Sequence, residues 1–234
     1  MKYGYFIAGT DTEVGKTFAA AALLARAGQL GLRTAAWKPV AAGAAVTAQG
    51  LRNEDALTLL QACNQPLPYE MVNPVCLAPA IAPHIAAAEQ GMDLDVAALL
   101  PHFQRVLDGG ADFVLVEGAG GWRVPLNDRE TLADLALALQ LPVVLVVAMR
   151  LGCINHALLS AEAIARDGLP LAGWIANQAT PDSMARHGEN LDTLRRLLPA
   201  PLLGELPHMP GGDFNAAAQI LKLPGEVEPA GVAL

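Results

Sequence analysis

The stretch GTDTEVGKT at residues 9–17 decides the fold of this 234-residue chain. Its glycines let backbone N–H groups converge on phosphate oxygens, Lys16 can neutralise the outer phosphates, and the Thr17 hydroxyl suits Mg²⁺. The spacing is unusual, because five residues rather than four separate Gly9 from Gly15. A chance Gly-Lys-Thr at a helix start is the alternative. An apolar strand before the loop and an apolar helix after it favour a nucleotide-binding phosphate loop.

Apolar runs of strand length alternate with helical patterns in the rest of the chain. The patterns predict strands at 3–8, 34–37, 113–117, 143–148, 171–176 and 202–205. They predict helices at 16–29, 55–62, 93–108, 132–140, 154–167 and 186–198. This alternation indicates an α/β fold with a mostly parallel sheet and helices on both faces, of the P-loop NTPase type. With no internal repeat or long linker, residues 1–234 are expected to form a single domain.

Three segments show no regular pattern. Residues 41–52 are rich in small side chains and are expected to form a mobile loop. Residues 66–83 carry several prolines and are expected to be an irregular excursion. The tail from about residue 210 contains Gly211, Gly212 and Pro224 and is expected to be poorly ordered.

Composition narrows the class of protein. Hydrophobic residues make up 53% of the chain and charged residues 16%, as expected where parallel strands are buried on both faces. The net charge of −8 argues against a nucleic-acid partner, which requires a basic surface. Three cysteines without metal or disulfide spacing, and apolar runs too short for a bilayer, predict a cytoplasmic protein with no membrane partner.

A second chemical signal is VLVEGAGG at residues 114–121. It places Glu117 at the carboxyl end of a predicted strand, followed by a glycine-rich turn. Ligands bind at this edge of parallel sheets, so Glu117 is a candidate Mg²⁺ ligand. An ordinary turn at the end of a strand is the alternative.

Other polar positions remain ambiguous from their residues alone. Lys38 ends the second strand and is either an anion contact or a solvated surface lysine. Asp55 is either a second carboxylate ligand or, as its position favours, an acid placed at a helix start. The helix start after Gly152 either holds a carboxylate with its free N–H groups or, as the residues alone favour, is an ordinary helix start. Cys153 and His156 lack an orienting third group, which argues against a nucleophile–base pair.

Nine segments occur in an order that resembles one family. They are GTDTEVGKT, WKPVAAG, LRNEDA, VNPVCL, APHIAAAEQG, VLVEGAGGW, LGCINHA, GWIANQ and PLLGELP, and they span about residues 3–207. Together they closely resemble the dethiobiotin synthetases of biotin biosynthesis. The resemblance implies that ATP, CO2 and 7,8-diaminopelargonic acid give dethiobiotin, ADP and phosphate. It further implies a carbamate that attacks the γ-phosphate, and a carbamic–phosphoric anhydride closed by the second amine.

The resemblance also implies roles for individual residues, with Mg²⁺ as cofactor and ATP as co-substrate. The implied catalytic residues are Lys16, Lys38 and Thr12, and the implied metal ligands are Thr17, Asp55 and Glu117. The implied nucleotide contacts are Glu13, Val14, Gly15, Lys16, Thr17, Phe18, Asp55, Glu117, Gly118, Ala119, Gly120, Asn177, Gln178, Leu206, Pro207 and His208. The implied substrate contacts are Thr12, Lys38, Ala42, Gly152, Cys153, Ile154 and Asn155. The last four are expected to hold the substrate carboxylate across a homodimer interface.

Two departures and two rival families accompany this interpretation. Ala42 stands where the family usually has Ser or Thr, and Gln178 where an acid is common. Amidoligases of cobalamin synthesis carry an added glutaminase domain, for which this chain has no room. Partitioning-type ATPases usually have a second lysine early in the phosphate loop, where this chain has Thr10.

Overall fold

The computed structural model describes residues 1–227 of the chain. Its ten strands are β1 (Tyr3–Gly9), β2 (Thr34–Trp37), β3 (Val40–Ala42), β4 (Ala45–Thr47), β5 (Gly50–Arg52), β6 (Val75–Leu77), β7 (Phe113–Glu117), β8 (Val143–Ala148), β9 (Leu171–Asn177) and β10 (Leu202–Leu206). Its nine helices are α1 (Lys16–Gln29), α2 (Glu54–Ala62), α3 (Tyr69–Val72), α4 (Pro83–Ala88), α5 (Val96–Asp108), α6 (Leu132–Leu139), α7 (Cys153–Arg166), α8 (His187–Leu197) and α9 (Phe214–Ala217). These counts refer to residues 1–227.

The central sheet has six strands in the order β10-β9-β8-β1-β7-β2, and all its pairings are parallel. The predicted α/β fold is therefore confirmed. All six residues of β8 are buried, because helices cover both faces of the strand. β1 lies between β7 and β8, so the carboxyl ends of these three strands meet at one edge, where such sheets bind ligands.

Two apolar layers lie against the sheet. One is built around Trp37, Phe103 and Val114, and the other around Leu23, Leu24 and Leu115. Four consecutive alanines of α1, residues 19–22, are completely buried. Small side chains let this helix lie close to the strands, so its first turn is held firmly above the sheet edge.

The three segments expected to be irregular contain regular structure. Within 41–52, β3 ends and β4 pairs with β5 in an antiparallel hairpin. Within 66–83, α3 forms and β6 pairs in parallel with β3. These elements are only three or four residues long, and the β3–β6 partners are about 35 residues apart, so local periodicity does not reveal them.

The tail that the sequence predicts to be poorly ordered packs on the fold as far as residue 227. α9 contacts α1, and Ala217, Ala218 and Leu221 are buried. Glu226 forms an ion pair with Arg26. Residues 228–234 lie outside the described part of the chain. Within residues 1–227, no helix combines the length and apolar character needed to cross a bilayer.

Candidate phosphate and metal site

The loop between β1 and α1 has a backbone that depends on glycine. Gly15 has a φ of 84°, in the left-handed region. A Cβ atom at Gly15 would lie 2.1 Å from Asn177 Nδ2, and one at Gly9 would lie 3.0 Å from Lys16 Nζ. Glu13 also has a positive φ, 57°, which is uncommon for a residue with a side chain. These features fit a tight loop of the kind in which successive backbone amides can bind an anion.

Lys16 is held inside this loop. Its side chain is buried, and Nζ donates to the carbonyl oxygen of Asp11 at 3.1 Å. Burial and the positive charge of Lys38 lower the pKa of Lys16 to about 8. A desolvated ammonium beside a like charge is stabilised when an anion binds, so the loop is electrostatically prepared for phosphate.

A buried cluster of charges faces the loop. Lys38 Nζ lies 2.5 Å from Glu117 Oε1, 3.1 Å from Asp55 Oδ2 and 3.2 Å from the carbonyl oxygen of Gly118. Thr17 Oγ1 donates to Glu117 Oε1 at 2.9 Å. The fold thus brings together residues from α1, α2 and β7 and the residue that follows β2, as the predicted metal and phosphate site requires.

Burial decides one question that the sequence leaves open, the position of Lys38. The Lys38 side chain is only 3% exposed and the Glu117 side chain 1%, so the surface-lysine alternative is wrong. Burial by itself would lower the pKa of Lys38, but Glu117 and Asp55 outweigh it and raise that pKa. Burial would likewise raise the pKa of Asp55, but Lys38 outweighs it and lowers that pKa. Lys38 and Asp55 therefore hold each other in their charged forms.

The donor atoms in this cluster fit Mg²⁺. Two carboxylates and a hydroxyl offer oxygen ligands only, which a hard cation prefers. Glu117 Oε2 is buried and has no hydrogen-bond partner among residues 1–227. In the same range, no three His, Cys, Asp or Glu side chains form a metal-binding group. A site of this kind is suited to Mg²⁺, because that ion is usually held by one or two carboxylates together with phosphates.

A cleft of about 330 Å³ opens beside the phosphate loop. Its lining includes seven predicted nucleotide contacts, namely Glu13, Gly15, Phe18, Asn177, Gln178, Pro207 and His208. It also includes Ala179, Met209 and Gly212, which sequence reasoning missed. Small and apolar side chains in loops have no reactive or charged group that would suggest a ligand-binding role. Only their position shortly after predicted contacts could have suggested that these three residues line the cleft.

Three predicted nucleotide contacts are buried, unlike most of those that line the cleft. Val14 and Leu206 are completely buried in the core, and neither lines the cleft. Asn177 is also buried, and its Nδ2 donates to the carbonyl oxygen of Val14 at 2.8 Å. This amide therefore supports the phosphate loop, in addition to the base contact predicted for it.

The predicted substrate contacts lie near the same sheet edge. Thr12 is exposed beside the glycine turn, where a Cβ at Gly120 would lie 3.3 Å from Thr12 Oγ1. Arg150, just before α7, contacts Asp11 of the loop at 2.7 Å and so ties the two segments together. The Ala42 carbonyl accepts a hydrogen bond from Asn53 Nδ2.

Cys153 does not fit its predicted substrate contact. Its side chain is buried, and its N–H donates to the carbonyl oxygen of Arg150 at 2.9 Å. Neither group is therefore available to a carboxylate in this arrangement. Gly152 and Asn155 are exposed and Ile154 is partly exposed, so the other three predicted positions remain accessible.

Comparison with known proteins places this geometry in context. A family model described as an AAA domain matches residues 3–214. The ATP-dependent dethiobiotin synthetase BioD of Pseudomonas aeruginosa is 58% identical over 230 residues, which cover 98% of this chain and 99% of that protein. The ATP-dependent dethiobiotin synthetase BioD 1 of Salmonella typhi is 55% identical over 217 residues, covering 93% and 94%.

Solved structures with lower identity share the fold alone. The septum site-determining protein MinD of Pyrococcus horikoshii, in complex with Mg-ADP, matches with a TM-score of 0.53 and 16% identity, over 88% of this chain and 82% of that one. The MinC:MinD cell division complex of Aquifex aeolicus also gives 0.53 and 16%, over 92% of this chain and 86% of the matched one.

Proposed function

The chain belongs to the ATP-dependent dethiobiotin synthetase family, and from this membership we propose that it is a ligase that makes dethiobiotin. The proposed substrates are ATP, CO2 and 7,8-diaminopelargonic acid, and the other products are ADP and phosphate. One observation supports this most strongly: the charged Lys38–Glu117–Asp55 cluster meets the phosphate loop at the sheet edge. Such a cluster suits transfer of a phosphoryl group rather than nucleotide binding alone.

The proposed reaction has three steps. One amine of the substrate adds to CO2 and loses a proton, which gives a carbamate. A carbamate oxygen then forms a bond to the γ-phosphorus while the bond to the ADP oxygen breaks. The second amine attacks the carbonyl carbon of the resulting anhydride, loses a proton and expels phosphate, which closes the five-membered urea ring.

The proposed roles of the charged residues follow from this sequence of steps. Lys16, inside the loop, holds the γ-phosphate, and Lys38 faces the carbamate and the transferring group. Phosphoryl transfer depends mainly on positioning and on neutralising the charge that develops, and both ammonium groups do this. Thr17, Asp55 and Glu117 would hold Mg²⁺, which supplies further neutralisation of the phosphates. Ala42 offers no hydroxyl, so this position gives the carbamate no side-chain hydrogen bond.

The direct test is incubation of the purified protein with the diamine, bicarbonate and Mg-ATP, followed by mass spectrometry. The expected product is the cyclic urea, with one ADP formed for each ring closed. ATP hydrolysis without a cyclic urea would contradict the proposal and favour an ATPase switch. Omitting the diamine is the control, and it should leave ATP unconsumed.

Replacing Glu117 with Gln is expected to raise the Mg²⁺ concentration that gives half-maximal activity at least about tenfold, the equivalent of 1.4 kcal/mol. The amide keeps the shape of the side chain but loses the charge that a hard cation prefers. Activity should be titrated against Mg²⁺ at fixed ATP. Glu189→Gln, on the exposed surface of α8, is the matched control. An unchanged titration curve would remove Glu117 from the metal site.

We also propose that the enzyme is a homodimer whose partner subunit supplies the start of α7 to the substrate carboxylate. Gly152, the residue before α7, has a left-handed φ of 96°, and no side chain caps this helix within the described chain. The first-turn amides and the helix dipole favour an anion there. Leu151 is 93% exposed and Leu159 is 56% exposed, so an interface along α7 would remove both apolar side chains from water.

Mixing two inactive variants tests this arrangement. Lys16→Ala damages the phosphate loop, and Asn155→Glu places a negative charge where the carboxylate is proposed to bind. A mixed dimer with shared sites has one site that carries neither lesion, so activity should return on subunit exchange. Subunit exchange should be verified by mass spectrometry. If activity then fails to return, each chain holds a complete site.

A further inference from the structure

Three buried polar residues lie outside the proposed site but next to it. Asn73 is 2% exposed, Asn53 is 7% exposed and Tyr69 is 8% exposed. Tyr69 and Asn73 come from the segment 66–83 that the sequence suggests is irregular, and Asn53 directly follows the segment 41–52. Burying polar groups is unfavourable unless they are hydrogen-bonded, so the contacts of these residues show what the arrangement achieves.

One end of the network holds the backbone of Lys38. Asn73 Nδ2 donates to the carbonyl oxygen of Lys38 at 2.8 Å and to that of Val75 at 3.0 Å. The N–H of Lys38 donates to the carbonyl oxygen of Val72 at 2.7 Å. Both backbone groups of Lys38 are therefore bonded to the last residue of α3 and the residue that follows it.

The other end holds the start of α2. Asn53 is the N-cap of this helix, and its Oδ1 accepts from the N–H of Ala56 at 3.2 Å. Its Nδ2 donates to the carbonyl oxygen of Ala42. Asp55 lies two residues further on, with its carboxylate 3.1 Å from Lys38 Nζ.

The hydroxyl of Tyr69 joins the two ends. It accepts from the N–H of Asn53 at 2.8 Å and donates to Asn73 Oδ1 at 2.9 Å. Burial and a hydrogen bond with Cys76 raise the pKa of Tyr69 to about 12, so the hydroxyl keeps its proton at neutral pH. The bonds form a closed circuit from the Lys38 carbonyl through Asn73, Tyr69 and α2 to Asp55, and back to the Lys38 ammonium.

Asp55 needs such a constraint more than the other proposed metal ligands do. Glu117 ends a strand of the central sheet, and Thr17 lies in the first turn of a helix that follows directly from β1. Asp55 instead follows the β4–β5 hairpin, which pairs with no strand of the central sheet. Its side chain is also half exposed. The packing of α2 against α1 and β2 positions the helix as a whole. The hydrogen bonds of Asn53 position its first turn, which carries Asp55.

We propose that the Tyr69 hydroxyl is a positioning group that fixes Asp55 relative to Lys38 and thereby sets how strongly the site holds Mg²⁺ with ATP. This inference rests on the metal site proposed above. Without the hydroxyl, the buried Asn53 N–H and Asn73 Oδ1 would both lose a partner. The first turn of α2 would then be free to shift, and Asp55 with it.

Tyr69→Phe tests the inference because it removes only the hydroxyl. ATP dissociation constants should be measured by calorimetry with excess Mg²⁺ and with EDTA. The strengthening of ATP binding by Mg²⁺ should fall about fivefold, the effect of losing a net hydrogen bond of about 1 kcal/mol. ATP binding in EDTA should change little. This ratio does not depend on dethiobiotin synthesis, so the inference and the proposed function can fail separately.

Tyr5→Phe is the matched control. Its hydroxyl donates to the carbonyl oxygen of Pro224, away from the charged cluster, so the same chemical change should leave the Mg²⁺ effect unaltered. A loss of stability alone would lower the urea midpoint of Tyr69→Phe without changing the Mg²⁺ effect, and that result would overturn the inference.

A second variant covers the case in which Tyr69→Phe does not fold. Asn73→Leu breaks the Lys38 end of the circuit and should reduce the Mg²⁺ effect in the same direction. An unchanged Mg²⁺ effect in this variant would also overturn the inference. If neither variant folds, the circuit supports the whole fold rather than one ligand, which contradicts a specific positioning role.

Discussion

Replacing Lys16 with Ala is expected to reduce kcat at least about a hundredfold while the protein remains folded. The ammonium contacts a backbone carbonyl of the same loop, at 3.1 Å, and forms no ion pair within residues 1–227. Removing it therefore leaves no buried carboxylate without a partner. Its charge is stabilised mainly when an anion is bound, so the loss should appear in the barrier to phosphoryl transfer and not in stability.

The measurement is kcat with saturating substrates, with circular dichroism and the urea midpoint as checks of folding. Lys16→Met keeps most of the apolar stem and should lose a similar factor in rate, which would assign the effect to charge. Lys222→Ala, at an exposed position outside the loop, is the control and should behave like the wild type. A folded Lys16→Ala protein with near-normal kcat would exclude Lys16 from the phosphate site.

Replacing Lys38 with Met is expected to lower both activity and stability, unlike the change at Lys16. Activity should fall at least about a hundredfold, because the ammonium is proposed to face the group being transferred. The stability of the nucleotide-free protein should also fall, because Glu117 is almost fully buried and would lose its cationic partner. Breaking a buried ion pair in this way costs up to about 3–5 kcal/mol.

Mg²⁺ alone should restore part of that stability. In the wild type, the Lys38 ammonium engages both carboxylates proposed as metal ligands. In Lys38→Met, a divalent cation would find them without a competing positive charge, and binding to the folded state raises its stability. Urea midpoints should be compared in Mg²⁺ and in EDTA, without ATP. The wild type is the control, and its urea midpoint should rise less with Mg²⁺ than that of Lys38→Met. An equal rise in the two proteins would mean that Lys38 does not occupy the metal site.

Much of the fold could be predicted from local patterns. The strands at 34–37, 113–117 and 143–148 coincide with β2, β7 and β8, because runs of buried apolar residues between helices are typical of parallel sheets. The missed elements are short ones, such as β6 and α9. Their stability comes from contacts with distant residues rather than from their own propensities, and a local reading of sequence does not detect such contacts.

In the candidate site too, some residues could be predicted from a local motif and others could not. The phosphate loop, Lys16 and Thr17 are adjacent in the sequence, so one motif between a predicted strand and a predicted helix indicates them. Lys38, Asp55 and Glu117 lie far apart along the chain, and their residue types do not distinguish a surface position from a site. The resemblance to a family supplied their roles, and the structure placed their charged groups in contact.

By itself, the sequence determined the parallel α/β fold and the phosphate loop, since both follow from short-range periodicity and from what glycine allows the backbone to do. Only the tertiary structure decided that Lys38 is a buried partner of Glu117 and Asp55, and that Tyr69 links the segments that carry them. The physical reason is that burial and electrostatic pairing depend on distances between residues remote in sequence. The packing of the sheet and its helices sets those distances.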